Sequence, residues 1–293
     1  MEESVRRFRS RSFGSVADVY EQSRPGYPRD AVRWLLADLL PEPIPPYDVS
    51  AFDSYAVTPD PSYAAPDPAI GYPTTPPPPP PPPPTVVELA AGTGKMTAVL
   101  AAEGHRVIAV EPSAPLLLRL IRNVPEATPV QAVAEQIPLA DGSADAVVVA
   151  HAFHWFDTDA ALAEIARVLR PGGILGLLWN YRDESVPWVR QLSSLLAAAE
   201  RLEARQAEDL IEKLEWSRLF TPPEYAGFRL WQPVNREGLL QMVASRSSVA
   251  SLPPAEREDV LKQVGDLYDE TARQPEGLVM PYITACYRMR VRK

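Results

Sequence analysis

A single cysteine, Cys286, stands in a chain of 293 residues, so no internal disulfide is available and a disulfide-stapled scaffold is excluded. Long apolar runs are missing too. Every candidate stretch is interrupted by charge well before the roughly 18 residues that a membrane span needs. The N-terminus, Met1-Glu2-Glu3 followed by Arg6, Arg7, Arg9 and Arg11, lacks the apolar centre of a signal peptide. These absences predict a soluble chain kept in the cytoplasm. Basic residues are outnumbered, 29 against 38 acidic, for a formal net charge of −9. Binding nucleic acid without regard to sequence needs a basic face that neutralises several phosphates, so nucleic acid is not the expected partner. No internal repeat is visible.

Proline is what the chain has in excess: 34 residues, of which eighteen lie between Pro41 and Pro84 and nine form an unbroken run from Pro76 to Pro84. The same segment carries five acids (Glu42, Asp48, Asp53, Asp60, Asp67) and no Lys or Arg. It has too few large apolar residues to pack, and is expected to be a disordered or polyproline II insert. The nine-proline run alone would reach roughly 28 Å at about 3.1 Å per residue.

Outside the insert the texture is that of an α/β domain. Short apolar strands are predicted at 85–90, 106–110, 128–132, 144–150 and 174–179, with helices at 95–103, 114–122 and 158–169 between them. The last of these helices is expected to stop at Pro171-Gly172-Gly173. Continuous apolar strands alternating with amphipathic helices predict a doubly wound, mostly parallel sheet covered on both faces. Further strands at 228–232 and 280–291 bring the sheet to seven, the last one antiparallel. Ahead of the insert, helices are predicted at 16–22 and 28–40, joined by the turn Pro25-Gly26-Tyr27-Pro28 with Pro28 as first helical residue. Helices at 188–214 and 236–251, with Trp216, Trp231, Met242 and Arg246, would form part of a substrate cap, most of these aromatics in its core, and a further helix is predicted at 254–273.

In an open α/β sheet, ligands bind beyond the carboxyl ends of the strands where the strand order reverses. The first strand exits through Glu88-Leu89-Ala90-Ala91-Gly92-Thr93-Gly94-Lys95, and the second ends seventeen residues after Gly94 in Glu111, a carboxylate placed to accept both hydroxyls of a ribose. A nicotinamide dinucleotide would require a third glycine where Thr97 stands. A phosphate-binding loop would require glycine at Leu89 and Ser or Thr at Met96. S-adenosylmethionine is the remaining candidate. The segments ELAAGTGKMT, VIAVEPS, AEQIPLADGSADAVVVAHAFHWFD and IARVLRPGGILGLLWN closely resemble the class I S-adenosylmethionine-dependent methyltransferases of the type 11 group. With FGSVADVYEQSRPGYP at the front, the chain is similar to their trans-aconitate methyltransferase-like branch.

The resemblance implies a division of the chain into an N-terminal lid (1–40), the Pro-rich insert (41–85), a cofactor-binding core (86–180) and the remainder of the sheet with a substrate cap (181–293). It implies S-adenosylmethionine held by Glu88, Ala90, Gly92, Thr93 and Gly94, by Glu111 with Pro112 and Ser113, by Ala134 and Glu135, and by Ala150 and His151. The family commonly has glycine near Ala132, a departure here. Tyr20, Arg24 and Tyr27 of the lid, Trp155, and Arg182 after the fifth strand are the expected contacts of a small acidic acceptor. His154 is a candidate base or substrate contact, or a wall of the cofactor pocket. His151 and His154 have no third ligand nearby in the sequence, so no metal is expected. The acceptor oxygen would be a carboxylate or a hydroxyl. A second reading keeps the fold but not the activity: a binding module whose polyproline run docks an SH3- or WW-type partner.

Overall fold

The computed structural model describes residues 25–39, 81–196, 209–250, 252–273 and 277–293. The expected helix at 16–22, Tyr20, Arg24, most of the Pro-rich insert and residues 197–208 of the expected long helix lie outside the described residues.

Helix α1 (Arg29–Leu35) precedes strand β1 (Thr85–Leu89), α2 (Lys95–Ala102), β2 (Arg106–Val110), α3 (Ala114–Asn123), β3 (Thr128–Val130) and β4 (Ala144–Ala150). A single 3-10 turn (Phe153–Trp155) leads to α4 (Thr158–Val168) and β5 (Leu169–Arg182), then α5 (Pro187–Leu195), β6 (Glu224–Val234), α6 (Arg236–Ala244), α7 (Ser247–Ala250), α8 (Pro254–Thr271) and β7 (Leu278–Arg290). The sheet order is β3-β2-β1-β4-β5-β7-β6. Strands β3 to β5 pair in parallel, while β7 runs antiparallel to both β5 and β6. The chain thus folds as the seven-stranded, mostly parallel, doubly wound sheet that its alternation predicts. Strand order reverses between β1 and β4, so the carboxyl ends of those two strands form the crevice.

β-Branched and alanine side chains on β1, β2 and β4 are buried on both faces, which is why these strands read as unbroken apolar runs. One layer, with α1, α2 and α3, buries Val86, Val148, Leu100, Leu120 and Leu35. The opposite layer, with α4, buries Val87, Val149, Ile165 and Phe153. A third cluster joins α5, α6 and α8 to the start of β7.

Several boundaries differ from expectation. Strand β5 begins at Leu169, straight out of α4, because the Pro171-Gly172-Gly173 segment bulges from the ladder between the Ala144–Leu169 and Ala146–Ile174 pairs. It also runs on to Arg182, and β6 spans eleven residues, because the antiparallel ladder with β7 continues past the end of β4. Pro28 caps α1 rather than opening it. Trp231 and Trp216 are not core residues: they are 57% and 83% exposed, Trp231 standing on an outward face of the edge strand β6. Met242 is buried.

Candidate functional site

The turn that leaves β1 has an unusual backbone. Ala90, Gly92 and Gly94 all have positive φ, +54°, +59° and +93°. At Gly92 a Cβ would meet no atom within 4 Å, so the turn presents bare backbone to open space. Gly94 serves packing instead: a Cβ there would lie 3.1 Å from Leu120 Cγ and 3.2 Å from Val124 Cγ2, so glycine lets the start of α2 sit against α3. Asn123 Nδ2 donates to the Thr93 carbonyl at 2.8 Å and holds the turn from α3.

Two buried carboxylates lie under this turn. Glu111, at the end of β2, accepts from Gly92 N at 2.9 Å through Oε2 and from Ser113 N at 2.8 Å through Oε1. Burial pushes its pKa up despite these two donors. Each oxygen keeps lone-pair capacity for one further donor, such as a ribose hydroxyl. Glu88, on β1, is 2% exposed and accepts from Thr97 Oγ1. Burial is the largest reason that its carboxyl is pushed up to about 8; the Thr97 donor opposes the shift and the nearby Glu111 adds to it. The carboxyl is therefore largely protonated at neutral pH, and a cationic ligand would favour its ionised form.

The neighbouring strand end is also strained. His151, directly after β4, has φ +59° and donates its N–H to the Leu178 carbonyl at 2.7 Å. Leu89 pairs with Val149, so Ala90 and His151, the two non-glycine residues with positive φ among those described, flank the same crevice. Such outliers cost of order 1–3 kcal/mol and concentrate at functional sites. The His151 and His154 rings meet edge-on at 6.4 Å, and His154 packs on Trp155 at 4.7 Å, forming an aromatic wall beyond β4. Among the described residues no group of three His, Cys, Asp or Glu is arranged to hold a metal ion.

The structure thus brings together Glu88, Ala90, Gly92, Thr93, Gly94, Glu111, Ser113, Ala150 and His151, with Pro112 exposed beside Ser113. Ala134 is buried on the third-strand loop, but the carboxylate of Glu135 is taken by the Asp157 N–H at 2.8 Å, a tie between that loop and the start of α4. Arg182 stands at the last position of β5, four residues beyond Leu178, the partner of Ala150. Tyr27 packs against the apolar layer that includes α1. Two polar residues went unassigned from sequence. Thr97, fully buried in α2, was visible only as a missing glycine; Asn123 carries no local motif at all.

Comparison with known proteins agrees with this geometry. The type 11 family described as a methyltransferase domain matches residues 87–177. An uncharacterized methyltransferase of Mycobacterium tuberculosis is 33% identical over 292 residues, covering 97% of each chain. The chain is a class I S-adenosylmethionine-dependent methyltransferase of the type 11 family. A methyltransferase-like protein of Schizosaccharomyces pombe is 34% identical over 210 residues, covering 69% of this chain and 78% of its own. The structure of a candidate type II methyltransferase from Anaeromyxobacter dehalogenans superposes with a TM-score of 0.58 at 21% identity, covering 92% of this chain and 97% of that one, a likeness of fold. For a methyltransferase, the open backbone at Gly92 and the paired carboxylates at Glu88 and Glu111 fit a cofactor that carries a ribose, an ammonium and a sulfonium. No relative named here points to the trans-aconitate branch or supports a lapsed binding module. No helix among the described residues is long and apolar enough to cross a membrane.

Proposed function

We propose that this methyltransferase transfers the methyl group of S-adenosylmethionine to an oxygen, carboxylate or hydroxyl, of a small molecule in the cytoplasm. The observation that carries the reading is the buried Glu88–Glu111 pair under the bare Gly92 turn, beside the strained end of β4. S-adenosylmethionine supplies a methyl group made electrophilic by its sulfonium.

The residues of this chain bind and orient. The 90–94 turn holds the methionine portion, Glu111 accepts from the ribose hydroxyls, and residues 112–113 and 134–135 border the adenine. Glu88, a buried carboxyl, favours a ligand of positive charge. Ala150 and His151 stand under the methyl group, and His154 and Trp155 wall off water. The reaction is an in-line displacement, so holding the acceptor oxygen in near-attack geometry can supply most of the acceleration. The S–CH₃ bond breaks as the O–CH₃ bond forms. A carboxylate acceptor is ionised already and needs no base; for a hydroxyl acceptor His154 takes the proton. Tyr27 stands over the methionine carboxylate of the cofactor or an acidic acceptor, and Arg182 faces that acceptor through a bidentate pair.

Incubating the protein with S-adenosylmethionine and a panel of small carboxylic acids, alcohols, amines and activated carbon acids, with mass-spectrometric detection of the methylated product, tests this. A methyl ester or ether is expected. Methylation confined to nitrogen or carbon acceptors would overturn the oxygen assignment, and absence of any transfer with every acceptor class would count against the activity.

A further inference from the structure

Helix α1 crosses the sheet from its carboxyl edge to its amino edge, and it is fastened at both ends by different chemistry. At the amino edge the ties are charged. Arg288 donates to the Trp34 carbonyl at 3.1 Å and lies 4.9 Å above the Trp34 ring, Asp38 pairs with Arg290, and Arg33 reaches Glu103 on the end of α2 at 2.7 Å. At the carboxyl edge the tie is neutral and partly buried. Asn180 Nδ2 donates to the Gly26 carbonyl at 3.0 Å, while Thr284 Oγ1 donates to Asn180 Oδ1 at 2.6 Å.

Asn180 and Thr284 are direct cross-strand partners on β5 and β7, 8% and 0% exposed. Every neighbour of such a pair in a sheet interior is normally apolar, and burying an amide and a hydroxyl costs free energy unless each finds a partner. Two aliphatic side chains would fill the position without that requirement. The polar pair adds only one thing: a donor held rigidly toward Gly26. Thr284 donates to the oxygen end of the amide, which leaves the nitrogen end facing Gly26. The place matters. Leu178, two residues before Asn180, pairs with Ala150 and accepts the His151 N–H, so strand spacing puts Asn180 about 8 Å from Ala150.

We propose that Asn180, oriented by Thr284, is a positioning residue of the methyl-transfer site: it fixes the segment of residues 25–28, which is irregular rather than the turn expected from sequence, and Tyr27 with it, over the ends of β4 and β5. This rests on the methyltransferase reading above. Because the charged ties and the apolar face of α1 (Ala31, Val32, Leu35) hold the helix itself, losing the amide frees the segment and not the helix.

Asn180→Leu, Thr284→Val and Thr284→Ser are compared with the wild type by NMR backbone order parameters at Gly26 and Tyr27 and by calorimetric titration with S-adenosylhomocysteine. Order parameters falling from the rigid range of about 0.85 to below about 0.6 at these two residues are expected in Asn180→Leu and Thr284→Val, with those of β5 and β7 unchanged and affinity for S-adenosylhomocysteine reduced about five- to tenfold, the scale of one net hydrogen bond. Thr284→Ser keeps the hydroxyl and should restore both. If Asn180→Leu folds poorly, Asn180→Ser gives the same comparison. A wild type that binds while Asn180→Leu and Thr284→Val bind equally well would overturn the positioning role alone. A wild type that does not bind S-adenosylhomocysteine would remove the cofactor reading, and the positioning role with it.

Discussion

The two halves of the sheet solve different problems. Strands β1, β2 and β4 are buried on both faces, short, parallel and closed by a turn that Glu111 and Asn123 tie down while Gly92 leaves its backbone bare. Strands β5, β7 and β6 run on past them as an antiparallel ladder whose edge strand exposes Tyr225 and Trp231 and packs only partly beneath. In the first half backbone geometry and buried charge share the same few residues, so substitutions in the turn act strongly on the fold. The exposed rim of the second half carries no such constraint.

That contrast can be broken by substitution. The largest effect is expected at Gly94, where valine would need to enter space already held by Leu120 and Val124 and to adopt φ +93°. A loss of about 3 kcal/mol of stability, read by chemical denaturation, is the expected result, typical of overpacking joined to backbone strain. A well-folded Gly94→Val protein of unchanged stability would show that the two halves do not differ in this way.

Next comes Glu88. The folded chain holds its proton up to about pH 8, against an ordinary value of 4.5, so unfolding releases a proton between those limits. The stability contributed by the protonated group is fully present below about pH 4.5 and is lost as pH rises through about 8. Glu88→Gln should therefore flatten the fall in melting temperature between pH 5 and 8 in the ligand-free protein. An unaltered slope would mean that the buried carboxyl does not titrate as its burial requires.

Ala90→Gly is a smaller change with the opposite sign. An L-residue at φ +54° is strained, and glycine should stabilise the fold by about 1 kcal/mol. Destabilisation would show that the Ala90 methyl packs in a way that outweighs the backbone. The smallest effect belongs to the other half: Trp231→Ser on the exposed edge should change stability by no more than about 0.5 kcal/mol and leave cofactor affinity as it was. A large loss there would place Trp231 in an interface.

Much of the parallel half was legible in the sequence. The run ADAVVVA predicts β4 to the residue, because a strand buried on both faces has no other way to be written. Gly92, Gly94 and Glu111 stand out by spacing, and the structure joins Gly92 to Glu111 through one hydrogen bond. What stayed illegible was long-range pairing. Asn180 meets Thr284 across β5 and β7 and reaches Gly26 from 154 residues away, and nothing local marks that these residues meet. The edge strand was hard to read for a related reason. Trp231 looks like core by composition, and only the sheet order, with β6 at the rim, shows that one of its faces has no neighbour.

The central claim is that the Glu111 carboxylate and the Gly92 turn together make the cofactor site. Titrating S-adenosylhomocysteine into the wild type and Glu111→Ala side by side tests it most directly. The account predicts saturable one-to-one binding by the wild type and a loss of about 1.5–3 kcal/mol, roughly ten- to a hundredfold, in the variant, the scale of a hydrogen bond to a charged group. Equal affinity in the two proteins would contradict it.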